Sequence, residues 1–236
     1  GKVVTYSGGL LGLEFSVTKF STFTIINFNS LERGFHKAYI VGFPDGEFKP
    51  DAPVTRAQLA LMIARNLDFD GNAKVNEGPF EDILPDHYAA AAIAFVHARG
   101  IMNGYPDGWF RADDAITRAE MATVVANYLQ LTIEYDGIAR FKDTSGHWAQ
   151  ETIDAALAAG MIKGYPDGSF KPDHRLSRAE AVVMINSMFH RGPLYGVRSS
   201  MFPDVGGDHW AYEHIQEAAT DHEYFIDPEQ NEQYVR

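Results

Sequence analysis

Arg56, Arg118 and Arg178 occupy one place in three copies of a helix-start word. The copies read Thr55-Arg56-Ala57-Gln58, Thr117-Arg118-Ala119-Glu120 and Ser177-Arg178-Ala179-Glu180. Each is a capping box: the hydroxyl accepts the third helical amide, and the Gln or Glu side chain reaches back to the cap amide. The Glu residues are therefore read as caps and not as catalytic acids. Capping has no use for the arginine. At the first helical position the macrodipole disfavours a cation by up to ~1 kcal/mol. Two chemistries would offset that cost. The arginine pairs with a carboxylate such as Asp45, Asp107 or Asp167 in the turn before each box, or it joins the free N–H groups of the helix start in holding an anion. The residue types leave both open.

A second set of candidates is aromatic. Trp148 and Trp210, with Tyr88 in the third place, each follow a histidine. Such side chains either pack between units or offer a flat face to a sugar ring. Phe43, Tyr105 and Tyr165 sit on turns and are expected to be more exposed, and Trp109 stands outside the pattern. Phe80, Phe141 and Phe202 are expected to fill the core, as are Phe48, Phe110 and Phe170. His147 and His209 lie in no ligand spacing, so no metal site is expected. The Pro-Asp-Gly turns lack the carboxylate order and late Glu of a calcium loop. No Ser-His-Asp order, phosphate loop or dinucleotide fingerprint is present, so no catalytic residue and no cofactor is expected.

These residues must be placed by elements that repeat. The turn word Gly-aromatic-Pro-Asp-Gly starts at Gly42, Gly104 and Gly164, and a Phe-x-Asp…His-aromatic word starts at Phe80, Phe141 and Phe202. A period near 60 residues means an array of like units. Each Phe word opens an apolar helix (Tyr88–Arg99, Trp148–Ala159, Trp210–Ala219), with Gly100 and Gly160 as C-cap glycines. The turn follows, and the capping box starts a second helix ending near Leu67, Leu129 and Phe189. The turn word comes first in the chain and the Phe word last. Three whole units exist only if the last half pairs with the first, which predicts a ring closed by its own ends. The expected division is a β-rich tail of an upstream domain or edge hairpin over 1–34, half a unit over 35–79, units over 80–140 and 141–201, and a closing half-unit over 202–236. Strand chemistry covers Lys2–Tyr6 and Leu13–Asn27. The last ~16 residues, polar and acidic, are expected to pack loosely.

Composition narrows the partners. Cysteine is absent, which excludes disulfides, thiolate zinc sites and cysteine nucleophiles. A net charge of −12 repels nucleic acid and anionic membrane surfaces, so any anionic ligand needs a local basic pocket. A hydrophobic content of 45% allows a core, yet no apolar run approaches a membrane span, so no membrane insertion is expected. The opening GKVVTYSGG lacks an initiator Met and a signal-peptide profile, and reads as a piece of a longer protein.

With these words in hand, the chain resembles the S-layer homology (SLH) family. Phe-x-Asp…His-Trp-Ala, Gly-Tyr-Pro-Asp-Gly-x-Phe-x-Pro-Asp and Ile-Thr-Arg-Ala-Glu are that family's words, best kept here in Phe141–Glu180. The resemblance implies a mainly α fold: three helix-turn-helix units in a pseudo-threefold spindle, closed by N- and C-terminal half-units and preceded by a short β-hairpin segment. It implies a non-catalytic, extracellular module of the bacterial cell wall or S-layer. Its grooves would bind a peptidoglycan-linked secondary cell wall polysaccharide, anionic and often pyruvylated. Carried over, the ligand-binding residues are Arg56, Arg118, Arg178, Asp45, Asp107, Asp167, Phe43, Tyr105, Tyr165, Tyr88, Trp148 and Trp210. The best-kept words point to a groove using Arg178 and Trp148, and the weakest to one using Phe43. The rival reading is a protein–protein module that assembles with neighbouring surface-layer proteins. An enzyme acting on the wall is a third reading, for which no carboxylate pair is evident.

Overall fold

The computed structural model describes residues 2–5, 11–14, 32–71, 75, 78, 80–133 and 136–235. The chain divides into two compact units, Gly1–Leu31 and Glu32–Arg236. In the first, strands β1 (Lys2–Thr5) and β2 (Leu11–Glu14) pair antiparallel, with Lys2 opposite Glu14 and Thr5 opposite Leu11. The strand segment expected beyond Glu14 lies outside the described residues.

The second unit is mainly α. Its helices come in packed pairs: α1 (Arg56–Asn66) with α2 (Ala90–Ala98), α3 (Arg118–Leu129) with α4 (Gln150–Ala158), and α5 (Arg178–Met188) with α6 (Tyr212–Ala219). No described helix is long and apolar enough to cross a membrane. All three capping boxes form with both arms in place. The even-numbered helices lack a side-chain cap. Their entry turn is held instead by the repeated histidine. His87, His147 and His209 accept through Nδ1 from the amides of Ala89, Ala149 and Ala211, at 3.1–3.2 Å. The turn explains why these helices begin two residues after the aromatic.

The Phe-x-Asp word is a clasp. Asp82 accepts the amides of Phe110 and Arg111, and Asp143 those of Phe170 and Lys171. Arg111 and Lys171 have positive φ, so the carboxylate secures a backbone that L residues rarely adopt. The partner phenylalanine packs closely against the turn glycine. A Cβ on Gly104 would come within 2.4 Å of Phe80, and one on Gly164 within 2.2 Å of Phe141. The third clasp joins the two ends of the chain. Asp204 accepts the amides of Phe48 and Lys49 at 2.9 and 2.7 Å, and a Cβ on Gly42 would meet Phe202 at 2.6 Å.

At the centre, three extended segments bond in a cycle. Val54 donates to the Leu176 carbonyl, Leu176 to Ile116 and Ile116 to Val54, each at 2.9–3.0 Å. All three side chains are fully buried, as are Phe48, Phe110 and Phe170 around them. The core therefore sits where the three capping boxes converge, and each box faces the next copy.

A four-stranded sheet closes the unit, in the order β3 (Arg33–His36), β5 (His222–Ile226), β6 (Glu232–Tyr234), β4 (Leu194–Tyr195). Arg33 lies opposite Phe225 and His36 opposite His222. The expectation of a loosely packed polar tail is thereby corrected. The segment is polar, but β3 supplies a partner strand from the far end of the chain, and His222 and Glu232 turn inward and are buried. β3 also crosses the boundary placed between residues 34 and 35.

Candidate functional site

Each repeated arginine is buried, and its guanidinium lies between two rings. Arg56 stacks on Tyr105 and Phe110, Arg118 on Tyr165 and Phe170, and Arg178 on Phe43 and Phe48, at 4.6–4.7 Å from the ring centres. The Nε atoms donate to the carbonyls of Phe110, Phe170 and Phe48. One Nη donates to the carbonyl just before the turn glycine: Asn103, Lys163 or Val41.

The turn aspartates are not the arginine's partners. Asp45, Asp107 and Asp167 point away from it and brace their own turns. Asp45 binds the Glu47 amide and Lys49, Asp107 the Trp109 amide and Arg111, and Asp167 the Ser169 amide and hydroxyl. These contacts hold Asp45 and Asp107 below the ordinary carboxylate value, and the Ser169 hydroxyl first among them holds Asp167 at about 2. The helix starts have no free N–H to offer an anion. The amides of Arg56 and Ala57 donate to Asp114 and Ala112, those of Arg118 and Ala119 to His174 and Pro172, and those of Arg178 and Ala179 to Ala52 and Pro50. The third amide goes to the cap hydroxyl.

The arginine's acidic partner is the capping-box glutamate of the next copy. Arg56 reaches Glu120 at 3.3 Å and Arg118 reaches Glu180 at 2.9 Å. The same carboxylate oxygen accepts the hydroxyl of Tyr105 or Tyr165. Burial first, and then this bond, pushes both tyrosines up to about 12. Burial raises Glu180, but the Ser177 amide, the Tyr165 hydroxyl and Arg118 outweigh it, and its carboxyl lies below its ordinary value.

The first copy, which faces Arg178, differs twice at one spot. Gln58 stands where Glu120 and Glu180 stand, and Phe43 where the tyrosines stand. Among the described residues Arg178 has no ion-pair partner, and burial lowers it to about 10, opposed only by the charge of Asp204. Reasoning from one word at a time missed this pairing. The signal was the joint loss of the carboxylate and the hydroxyl in one copy.

Three clefts open above these arginines. The first, about 560 Å³, is lined by Arg56, Tyr105, Glu120, Asn127, Trp148 and Asp173. The second, about 680 Å³, is lined by Arg118, Tyr165, Glu180, Lys163, His214 and Trp210. The third, about 200 Å³, is lined by Arg178, Phe43, Gln58, Leu61, Met62 and Arg65. The expected pairing of Arg178 with Trp148 is therefore corrected. Trp148 belongs with Arg56, because each cleft takes its arginine from one copy, its turn from the next, and its tryptophan from the Phe word after that. Tyr88 holds the equivalent place beside Thr55 but does not line the smaller third cleft.

Trp148, Trp210 and Tyr88 are 65%, 61% and 62% exposed, too much for core residues. Trp109 is also exposed, whereas Phe43, Tyr105 and Tyr165 are half-buried. The charge around the clefts is uneven. Glu120 and Asp173 outweigh Arg56 in the first. The second adds Lys163 beside the Arg118–Glu180 pair, and the third holds two guanidinium groups and, among the described residues, no carboxylate.

The family model of the S-layer homology domain matches residues 36–60, 79–122 and 140–182. Similar chains include Cell surface glycoprotein 1 of Acetivibrio thermocellus, 41% identical over 215 residues, covering 86% of this chain and 9% of that protein. The Cellulosome-anchoring protein of the same organism is 42% identical over 200 residues, covering 82% of this chain and 44% of that protein. S-layer protein EA1 of Bacillus anthracis is 29% identical over 135 residues, covering 57% of this chain and 16% of that protein. The chain thus spans less than half the length of each. The matched segments fall on the clasps, turns and capping boxes described above, and the chain belongs to the S-layer homology family.

Proposed function

We propose that this chain is a non-catalytic module that anchors a larger protein at the bacterial cell surface by binding an anionic, peptidoglycan-linked secondary cell wall polysaccharide, pyruvylated sugars included. The observation that carries this is the second cleft, where the exposed Trp210 lies beside Arg118 and Lys163 on a chain whose net charge is −12. Sugar rings stack on Trp148 and Trp210. The anionic groups go to the second cleft, through Lys163, and to the third, through Arg178 and Arg65. The first cleft takes a neutral part of the polymer. Each contact is weak alone, and three on one polymer gain avidity. The names of the relatives, a surface glycoprotein, a cellulosome anchor and an S-layer protein, support a surface location.

Because Trp148 and Trp210 are exposed, they can be removed without disturbing the core. Trp148→Ala plus Trp210→Ala is expected to lower wall binding by about 10- to 100-fold, the loss of roughly 1–3 kcal/mol of aromatic contact, with an unchanged melting temperature. Binding isotherms on purified sacculi check it, and undiminished binding refutes the assigned platforms. The same exposed aromatics also suit a protein contact in a surface lattice. That reading requires self-association of the chain without polymer.

A further inference from the structure

Away from the clefts, the closing sheet gathers four ligand-type side chains: His36 of β3, Glu217 of α6, His222 of β5 and Glu232 of β6. One donor atom from each lies within 4.8 Å of the other three. Glu217, His222 and Glu232 are at least nine-tenths buried. Arg191 also binds Glu217, with Nε 2.8 Å from Oε1. Two carboxylates and one guanidinium leave the cluster one negative charge in excess when both imidazoles are neutral.

The hydrogen-bond pattern is incomplete in one direction only. His222 Nδ1 lies 2.8 Å from the Thr220 carbonyl, which can only accept, so Nδ1 carries the hydrogen. The Nε2 lone pair then faces Glu217 Oε2, 2.8 Å away. That contact lacks hydrogen-bond geometry. Glu217 Oε2, His222 Nε2 and Glu232 Oε2 are all buried without a hydrogen-bond partner among the described residues. His36 Nδ1 completes the ring, hydrogen-bonded to Glu217 Oε1 at 2.8 Å and 3.5 Å from Glu232 Oε2. A doubly protonated His222 would ion-pair with Glu217 Oε2 but would still leave Glu232 Oε2 without a hydrogen. A cation among the four residues satisfies all three orphaned atoms and takes the place of the His36–Glu217 hydrogen bond. Holding an imidazole by Nδ1–H···O=C is also how proteins orient a histidine that ligates through Nε2.

We propose that His36, Glu217, His222 and Glu232 form a four-coordinate site for a divalent transition cation, with Zn2+ the best match. Two imidazoles and two carboxylates suit Zn2+ in a closed, structural arrangement, whereas Ca2+ and Mg2+ prefer oxygen ligands alone. The site ties β3, at the start of this unit, to α6, β5 and β6, at its end. The cation is therefore a clasp on the ring closure.

The test uses the full chain, stripped with a chelator and titrated with Zn2+ by calorimetry, with metal analysis after gel filtration. One tightly held Zn2+ per chain is expected. At 100-fold excess over Kd the melting temperature should rise by about 5–10 °C. Glu232→Gln keeps the shape of the side chain and should weaken binding by at least about 10-fold. If that variant does not fold, His36→Gln gives the same reading from the less buried edge of the site. Failure of the folded, stripped chain to take up Zn2+ overturns the proposal. Equal uptake by the wild type and the variant also overturns it, since the metal would then sit on surface histidines.

Discussion

Removal of residues 202–236 is expected to abolish the cooperative thermal transition of the Glu32–Arg236 unit. The deleted segment carries Phe202, Val205, Tyr212 and Ile215, all buried. At about 1.5–3 kcal/mol per buried side chain, their loss amounts to roughly 6–12 kcal/mol. That matches the whole net stability of a typical domain, about 5–15 kcal/mol. The segment also takes Asp204 from the amides of Phe48 and Lys49, and the Ala218 carbonyl from the amides of Tyr39 and Ile40. The first turn word would lose its clasp while α5 lost its partner helix. Calorimetry of the truncated and full chains checks this. Equal melting temperatures would show that the ends do not close the ring.

The second large effect concerns a residue that looks, from its sequence, like a ligand contact. Arg118→Ala should cost about 3–5 kcal/mol of stability, because it leaves the largely buried Glu180 carboxylate without its cation. Glu180→Gln in the same chain should recover more than about 1 kcal/mol of that loss. The first copy is the precedent, since Gln58 fills the box with both capping arms intact. Chemical denaturation of the two singles and the double gives the coupling energy directly. A cost below about 1 kcal/mol with no coupling would show that the pair is not a structural bond. A drop in wall binding in an arginine variant therefore mixes ligand contact with loss of fold. The exposed tryptophans separate the two.

Much of the fold was legible because its signals are local. The capping boxes, the C-cap glycines Gly100 and Gly160 with positive φ, and the turn words act within a few residues. The ring closure could be read from word order alone, because a half-unit with exposed apolar faces needs its complement. The arginine's partner was not legible. Glu120 and Glu180 lie more than 60 residues from Arg56 and Arg118, and each also had a sufficient local role as a cap. The aspartates of the Phe-x-Asp words went unassigned for the same reason, since the amides they hold lie 27–29 residues later in two copies and across the closure in the third. The closing sheet was the largest omission. A short polar strand gives little hydrophobic pattern, and its partner comes from the opposite end of the chain. The buried His and Glu cluster is scattered over positions 36, 217, 222 and 232, a spacing no ligand motif would mark.

The central claim is anchoring through an anionic wall polymer. The most direct test is sedimentation of the purified chain with bacterial wall sacculi that retain their secondary polysaccharide, beside the same sacculi chemically stripped of it. The account predicts co-sedimentation with the unstripped wall only. Equal sedimentation with both would place the ligand in peptidoglycan itself and contradict it, as would no sedimentation with either.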